Sequence, residues 1–473
     1  MGVVLARNRP EAVIWKLSAC FWLIDETFWL WYNMPRNDLI SIRREEFREV
    51  CIMIISLRYI GKLDSASIEI DGIAVIAGAN NTGKSTVGRT LFAVFNSFYN
   101  VDEQIMSERV DSVSKSLLLL DRRMIKRLIR GVDTKEIAKD IVLHKESFCE
   151  DGRALRDKIT DIILQAEESY DKSVFNSNVN DVVEEIQEIL KIPDERIFKS
   201  VVEKKINLEF NGQINNIFSN RKGEVELRIK NHSVGISIEN NNVVEIANHM
   251  DLHTEAVYID DPFILDESFF PYGRSFGYAD HRMHLKEKLF FNDRGNSVVE
   301  EIIINDKIES IYDKISSVCE GELVRKKQME FGYKKTDSEK VLDVRNLSTG
   351  LKTFAILKTL LINGTIECNG VIILDEPEIH LHPEWQLLFA ELIVMLHKEF
   401  GIHVLLNTHS PYFLRAIQVY SAKYEVAEKC RYYLSEELEN CVKVTDVSNY
   451  VESIYAKLSK PLQNLEDERW ENG

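Results

Sequence analysis

Runs of apolar residues divide the chain into strand-like and helix-like segments. Nearly continuous apolar runs at Ile73–Ala77, Val371–Leu374 and Val404–Leu406 predict strands that are buried on both faces of a parallel sheet. Another run, at Ile54–Leu57, predicts the first strand of a fold that begins at Met53. The pattern therefore indicates an α/β protein.

Two other patterns lie between these runs. Residues 101–198 are polar with helical spacing, and heptads are not sustained, so the pattern does not support a long coiled-coil arm. The apolar stripes are Leu155, Ile159, Ile162, Ile163 and Ala166, then Val182, Ile186, Ile189 and Leu190. Residues 206–246 alternate like an antiparallel meander with a turn at residues 240–242. The predicted strands are Ile206–Phe210, Val225–Ile229, Val234–Ile238 and Val243–Ile246.

A further core strand is predicted at Ala256–Ile259, and it ends in Asp260, Asp261 and Pro262. Two acids at a strand end also resemble a metal site. Because the sequence shows no second acidic pair at a matching strand end, we interpret them as turn and helix-start residues.

The segment from Gly78 to Ser85 matches G-x-x-x-x-G-K-[ST] at every fixed position. It follows a predicted strand and precedes helical spacing, which is the setting of a phosphate-binding loop. Backbone amides and the positive end of the helix would bind phosphate oxygens. We expect Lys84 to reach the β- and γ-phosphates and the Ser85 hydroxyl to bind Mg²⁺. A glycine-rich turn without a ligand is the lesser alternative.

The apolar run at Val371–Leu374 ends in Asp375 and Glu376. Beside a phosphate loop, such a strand end would place Asp375 near the metal and Glu376 near the γ-phosphate, where it can orient the attacking water. The run at Val404–Leu406 leads to His409, which is placed to hydrogen-bond the γ-phosphate or the water. Taken alone, this histidine would more often be structural.

Composition narrows the choice of partners and compartment. A formal net charge of −17 over 473 residues does not attract nucleic acid or anionic membranes, so such contacts would need a local basic patch. Seven scattered cysteines without a C-x-x-C pair favour reduced thiols in a cytoplasm and argue against a zinc site. The tryptophan-rich residues 1–52 contain no apolar run long enough for a membrane span, and we interpret them as a leader of uncertain structure or a start-site artefact.

Three weaker signals have ordinary alternatives. Arg122, Lys126 and Arg130 recur on one helix face with Arg123 and Arg127, and a second basic group lies between Gly321 and Arg345. Either group would suit DNA or RNA phosphates, but a solvated surface paired with acids is the favoured interpretation. Tyr59 would suit stacking on adenine, although a packed strand tyrosine is more common.

Together, the motifs resemble the ABC-class ATPase heads of SMC, RecF and OLD proteins, and most of all AAA-type ATPases of the OLD group, which include subunits of bacterial anti-phage systems. They are G-x-N-N-x-G-K-S, L-S-x-G at Leu347–Gly350, the run LDEPEIHLHP from Leu374, and THSP from Thr408. The resemblance spans residues 54–416. It implies a P-loop NTPase head of ABC type with a mixed sheet, split by a helical and antiparallel-β insertion.

The resemblance also implies a site shared between two chains, with ATP and Mg²⁺ held between the heads of a homodimer. Ser348 and Gly350 of one protomer would cap the γ-phosphate bound by the other. Lys84, Glu376 and His409 would be catalytic, with Glu376 as base and His409 as switch, and Ser85 and Asp375 would serve the metal. The nucleotide-binding set is Gly78, Asn80, Asn81, Thr82, Gly83, Lys84, Ser85, Thr86, Ser348 and Gly350. His380 and His382 favour a conformational or interface role over metal binding.

Two departures from the family limit what can be carried over. The glutamine that helps to hold Mg²⁺ cannot be assigned, and only 64 residues follow His409. That tail, with an expected helix near Val447–Leu458, is too short for the nuclease domain of OLD proteins, so any nuclease would be a separately encoded partner. We therefore expect an ATP-gated dimer in anti-phage defence. The alternatives are a RecF- or SMC-like repair head and, with less support, a transporter ATPase or a small-molecule kinase.

These predictions divide the chain into six segments. They are a leader at 1–52, an N-terminal ATPase half at 53–100, a helical insertion at 101–200, an antiparallel β subdomain at 201–252, a mixed connecting region at 253–345 and a C-terminal ATPase half at 346–473.

Overall fold

The computed structural model describes residues 52–124, 133–166, 172–268, 279–291, 308–326, 330–438 and 441–471. Residues 1–51 of the predicted leader lie outside this part, as do the side chains of the basic face predicted at residues 122–130. Within the described ranges, no helix has the length and apolar character needed to cross a bilayer.

The strands come from three separate parts of the chain. They are β1 (Met53–Ile60), β2 (Leu63–Ile70), β3 (Ile73–Gly78), β4 (Gly223–Ile229), β5 (His232–Glu239), β6 (Asn242–Ala247), β7 (Ala256–Ile259), β8 (Gly321–Arg325), β9 (Phe331–Lys335), β10 (Val341–Asp343), β11 (Val371–Asp375), β12 (His403–Thr408), β13 (Cys430–Leu438) and β14 (Cys441–Asp446).

The α-helices pack on the sheet or form the long segment between β3 and β4. They are α1 (Lys84–Ser97), α2 (Val101–Met124), α3 (Thr134–Leu143), α4 (Lys145–Glu150), α5 (Gly152–Ala166), α6 (Lys172–Lys191), α7 (Asp194–Phe210), α8 (His281–Phe290), α9 (308–316), α10 (Thr349–Ile362), α11 (Pro383–Phe400), α12 (Pro411–Lys423) and α13 (Glu452–Glu471). Short 3₁₀ turns occupy Pro262–Asp266, Val344–Asn346 and Ala427–Lys429.

Eleven strands form one mixed sheet in the order β6-β5-β4-β1-β2-β14-β13-β3-β12-β11-β7. From β13 to β7 the neighbours are parallel, so the carboxyl ends of β3, β12, β11 and β7 lie at one edge. This mixed α/β architecture is the expected fold class. It brings both predicted halves of the site to one place.

The apolar runs form these central strands because the sheet is covered on both faces. Along β3, Ile73 and Val75 pack into the apolar cluster on one face, whereas Ala74 and Ile76 pack into the cluster on the other. All six residues of β3 are buried. A continuous apolar sequence is therefore what this position in the sheet requires.

The long segment between β3 and β4 is helical, as its spacing predicts. Most described side chains of the two predicted stripes, among them Leu155, Ile159, Val182 and Ile186, are buried in a third apolar cluster, and Ile189 packs against it partly buried. The strand predicted at Ile206–Phe210 is wrong, because these residues end helix α7. The alternation of apolar and polar residues here arises from a helix with one buried face. The buried residues of that helix are Phe198, Val201, Val202, Ile206 and Glu209.

The other three predicted strands do form an antiparallel meander, but the meander is not a separate subdomain. Strands β4, β5 and β6 pair in antiparallel fashion. Strand β4 also pairs with β1, so the meander extends the main sheet.

The tail also differs from the expected helix. It contributes β13 and β14 to the sheet before α13 begins at Glu452. Val447 and Val451 therefore precede this helix.

The second basic group lies on a small sheet formed by β8, β9 and β10. Lys326 pairs with Asp343 at 3.0 Å and Lys335 with Glu320 at 3.0 Å, whereas Lys327 lies outside the described residues. These neighbouring acids reduce the positive field that a nucleic-acid phosphate would meet.

Candidate nucleotide site at the edge of the sheet

The phosphate loop connects the buried strand β3 to the start of α1. Asn81 and Gly83 have positive φ values of 65° and 77°. A Cβ at Gly78 would lie 2.5 Å from the Ser435 carbonyl oxygen, and one at Gly83 would lie 2.8 Å from Leu63 Cδ2. Both positions therefore require glycine, and the loop can take the tight turn that leads into α1.

Lys84 is buried at the base of this loop. Its Nζ donates hydrogen bonds to the carbonyl oxygens of Gly78, at 3.2 Å, and Ala79, at 2.8 Å. The same nitrogen lies 3.6 Å from Glu376 Oε1. Asn80 and Asn81 are exposed, whereas Ser85 and Thr86 lie half-buried in the first turn of α1. Thr82 is buried, and its hydroxyl donates to the Ala79 carbonyl oxygen at 2.8 Å.

The acidic strand end is held from two sides. Asp375 accepts hydrogen bonds from Asn407 Nδ2 on Oδ1, at 2.9 Å, and from the Tyr258 hydroxyl on Oδ2, at 2.8 Å. Glu376 has a φ of 51°, which non-glycine residues seldom adopt, and its N–H donates to the Asn407 carbonyl oxygen. This turn brings the Glu376 carboxylate toward Lys84.

His409 follows β12 and lies beside the same acids. Its Nδ1 is 3.4 Å from Glu376 Oε1 and 4.0 Å from Glu378 Oε1. The structure thus brings Lys84, Asp375, Glu376 and His409 together. Their catalytic and metal-binding roles remain predictions.

Glu378 is a candidate site residue that sequence analysis missed. It is buried, and its Oε1 accepts hydrogen bonds from the Thr408 hydroxyl and from the His409 N–H, the latter at 3.2 Å. Burial raises the pKa of its carboxyl group. The sequence did offer a signal for it, because Glu378 stands only two residues after Glu376 and close to the end of the buried strand.

Ser435 is a second residue that was missed. Its hydroxyl donates to the Thr82 carbonyl oxygen, and its own carbonyl oxygen lies against Gly78. The tail strand β13 therefore supports the phosphate loop.

The L-S-x-G element starts helix α10. Ser348 is exposed, and its Oγ accepts a hydrogen bond from the Leu351 N–H at 3.4 Å. Gly350 is buried, where a Cβ would lie 3.0 Å from Trp385 and 3.1 Å from the His380 carbonyl oxygen. This glycine lets α10 pack closely against the loop that follows Glu376.

The two histidines of that loop have separate surroundings. His380 packs edge-on against Phe263, with ring centroids 5.6 Å apart, whereas His382 occupies the N-cap position of α11. Among the described residues, no three His, Cys, Asp or Glu side chains are arranged to hold a metal ion.

Tyr59 lies near the end of β1, just before the turn to β2. This turn approaches the phosphate-loop helix, because a Cβ at Gly61 would lie 3.2 Å from Thr86 Cγ2. The Tyr59 hydroxyl accepts a hydrogen bond from Arg221, whose guanidinium carbon lies 5.0 Å from the ring centroid. Adenine stacking on Tyr59 stays a prediction.

The interpretation of Asp260 and Asp261 needs one correction. Asp261 caps the 3₁₀ turn by accepting from the Phe263 N–H at 2.9 Å, as expected of a helix-start residue. However, β7 runs parallel to β11 with Ile259 opposite Leu374, so a second acidic pair does occupy the adjacent strand end. Sequence separation concealed this proximity.

The residues at this edge fit a magnesium ion. The Ser85 hydroxyl and the Asp375 carboxylate are hard oxygen donors of the kind Mg²⁺ prefers. Asp375 is anchored through both oxygens by groups behind it, an arrangement that orients metal-binding carboxylates.

Comparison with known proteins adds a curated relative and several solved structures. The "Retron Vc95 probable ATPase" of Vibrio cholerae serotype O1 biovar El Tor is 29% identical over 139 residues, which are 27% of this chain. The match spans 26% of that relative's length.

The structures share little sequence with this chain. The SMC head domain from Thermotoga maritima has a TM-score of 0.32 at 13% identity and covers 84% of this chain and 98% of its own. An SMC head bound to the C-terminal winged-helix domain of ScpA has a TM-score of 0.34 at 12% identity, and the match covers 84% of this chain and 97% of that one. The ADP conformation of MJ1267, an ATP-binding cassette of an ABC transporter, has a TM-score of 0.30 at 11% identity, and the match covers 86% of this chain and 96% of that one.

A family model matches residues 73–415, from the phosphate-loop strand to helix α12. Its description is "AAA domain, putative AbiEii toxin, Type IV TA system". The matched residues are well over half of the chain and include both halves of the site. The chain therefore belongs to this AAA domain family and is a P-loop ATPase.

Proposed function

We propose that the protein is a Mg²⁺-dependent ATP hydrolase whose site is completed by a second copy of the chain. The observation that carries this proposal is the 3.6 Å approach of Lys84 Nζ to Glu376 Oε1. It joins the phosphate loop to the acidic strand end, beside loop residues 79–81, which are exposed. These are the parts needed to hold a triphosphate next to a base.

Each side chain has a task that its position supports. Lys84, now bonded to loop carbonyl oxygens, would exchange them for phosphate oxygens. Glu376 would orient the attacking water and accept its proton, while His409 would hydrogen-bond the γ-phosphate. Ser85 and Asp375 would hold Mg²⁺, which neutralises charge on the phosphates when bound.

The exposed N-terminus of α10 supports the two-chain part of the proposal. Ser348 points its hydroxyl to its own helix turn and remains accessible, and the apolar side chains of Phe263 and Ile379 are exposed by 46% and 51%. A second copy could cover them by placing Ser348 and Gly350 over the γ-phosphate. ATP would then stabilise the dimer, and hydrolysis would release it.

The test is ATP turnover and oligomer mass for Glu376→Gln, with and without double-stranded DNA. We expect turnover to fall about 10²–10⁴-fold, because the base is lost, while ATP remains bound and the dimer accumulates. Glu425→Gln is the matched control, since Glu425 is exposed and has a comparable φ of 61°. Undiminished turnover, or a mass that ATP never changes, would refute the proposal.

For the biological role, we propose an ATP-gated partner of a separately encoded, nucleic-acid-directed effector in anti-phage defence, located in the cytoplasm. The support is the partial match to a retron ATPase, whose name belongs to that relative. Purified protein should bind or respond to DNA, RNA or the product of a neighbouring gene. A complete lack of response to all three would exclude this role.

A further inference from the structure

Tyr258 connects the acidic strand end to the rest of the fold. It lies on β7, is fully buried, and donates its hydroxyl hydrogen to Asp375 Oδ2 at 2.8 Å. Burial raises the pKa of this phenol well above its usual value, so it remains a donor. Helix α1 packs on the same ring, because a Cβ at Gly88 would lie 2.9 Å from Tyr258 Cε2. The ring thus touches both the helix that begins at the phosphate loop and the acid.

The other side of the Tyr258 ring rests on a buried histidine. The ring centroids of Tyr258 and His281 are 4.5 Å apart. His281 donates from Nδ1 to Glu209 Oε2 at 2.7 Å and from Nε2 to Asp260 Oδ2 at 3.0 Å. With a carboxylate on each ring nitrogen, the imidazole is doubly protonated and fixed in orientation.

Glu209 brings a distant element into this arrangement. It lies in the last turn of α7, which ends the helical segment, and it is 4% exposed. Besides the imidazole, it accepts a hydrogen bond from the backbone N–H of His281. The end of the helical segment is therefore tied to Tyr258 and, through it, to Asp375.

We propose that Tyr258 is a positioning residue for the metal-binding carboxylate of Asp375, and that the Glu209–His281 contact makes the end of α7 part of the same support. Movement of the helical segment would then alter how firmly Mg²⁺ is held. This inference rests on the proposed Mg²⁺-dependent ATP site. It adds a connection between that site and the helical segment that ends with α7. Residues that orient a metal-binding side chain typically change metal affinity strongly when they are replaced.

The experiment measures binding of a fluorescent, non-hydrolysable ATP analogue during titration with MgCl₂. Tyr258→Phe should raise the Mg²⁺ concentration for half-maximal tightening about tenfold. Binding in EDTA should not change, because the phosphate loop is intact. Tyr333→Phe is the matched control, since Tyr333 is also a buried tyrosine but bonds to Gly321 in the small sheet.

Glu209→Gln tests the path, because it removes one charge from the His281 contact. It should also raise the Mg²⁺ concentration for half-maximal tightening, but by a smaller factor than Tyr258→Phe. In the double variant, Glu209→Gln should add little to the effect of Tyr258→Phe. Thermal unfolding of every variant separates loss of folding from loss of positioning.

The outcomes separate the two proposals. A wild-type protein whose analogue binding ignores Mg²⁺ would overturn the proposed function, and this inference with it. A responsive wild type with an unshifted Tyr258→Phe would overturn only this inference. Full additivity of the two substitutions would overturn the path through Tyr258.

Discussion

The backbone of Glu376 adopts a left-handed conformation that costs a non-glycine residue about 1–3 kcal/mol. The turn is compensated by the hydrogen bond from its N–H to the Asn407 carbonyl oxygen. Without the turn, the side chain would follow the alternation of β11 and point away from Lys84. The strain therefore coincides with the candidate base, where it aims a carboxylate at the phosphate loop.

The buried His281 predicts a pH dependence of stability. Burial would lower its pKa, but hydrogen bonds to Asp260 and Glu209 raise the pKa to about 9 from the ordinary 6.5. Because the pKa is higher in the folded state, protonated His281 stabilises the folded protein fully below pH 6.5. This stabilisation is lost as the pH rises through 9. The contribution amounts to about 3 kcal/mol at most.

Urea unfolding between about pH 6 and pH 10 tests this linkage. Half-buried Lys205, whose pKa desolvation lowers to about 8, changes stability in the opposite direction over part of the range. The useful quantity is therefore the difference between wild type and His281→Asn, which should shrink as the pH rises. A difference that does not vary with pH would contradict the charged state of His281.

Strand β7 is the last strand of the sheet, and a side chain replaces its missing neighbour. Asn96, near the end of α1, donates to the Ala256 carbonyl oxygen at 2.9 Å and accepts from the Ala256 N–H at 2.7 Å. The amide thus pairs with the backbone as an adjacent strand would. It also fixes the strand that carries Tyr258 relative to the phosphate-loop helix.

Asn96→Leu should lower the free energy of unfolding by about 2–4 kcal/mol, because it leaves two buried backbone groups without partners. Chemical denaturation measures the loss. Asn220→Leu is the control, since Asn220 is exposed. Equal stability of the two variants would show that water replaces the amide at β7.

Sequence patterns predicted those elements whose burial is complete on both faces. The runs in β3, β11 and β12 are continuous because both faces are covered, and their strand ends identified the phosphate loop and the acids. Strand β13 was missed because Arg431, Glu436 and Glu437 interrupt its apolar residues near its ends.

The supporting residues could not be read from spacing. Tyr258 meets Asp375, and Glu209 meets His281, only after distant segments become neighbours in the folded chain. Their sequence settings are those of ordinary core residues, so chemistry along the chain gives no signal for them.

In the proposed dimer, each nucleotide site would combine the phosphate loop of one protomer with Ser348 of the other. Lys84→Ala would disable the loop, and Ser348→Arg would disable the capping surface without altering the loop of its own chain. Each variant alone would therefore have two damaged sites per dimer, because the two interface surfaces come from different chains.

Mixing the two variants in equal amounts should restore roughly a quarter of wild-type turnover, since about half of the dimers would then hold one intact site. The measurement is turnover against the mixing ratio, with each variant alone as its control. A mixture no more active than its components would contradict a shared site.

The order of strands also determines when the site can form during synthesis. Strand β3, made early, lies between β12 and β13, which are made near the end of the described chain. A nascent chain would therefore carry its phosphate-loop strand unpaired on both sides until β12 and β13 have left the ribosome. Such distant pairings fold slowly and expose apolar edges to aggregation. A chaperone that covers apolar strand edges would therefore protect β3 during translation.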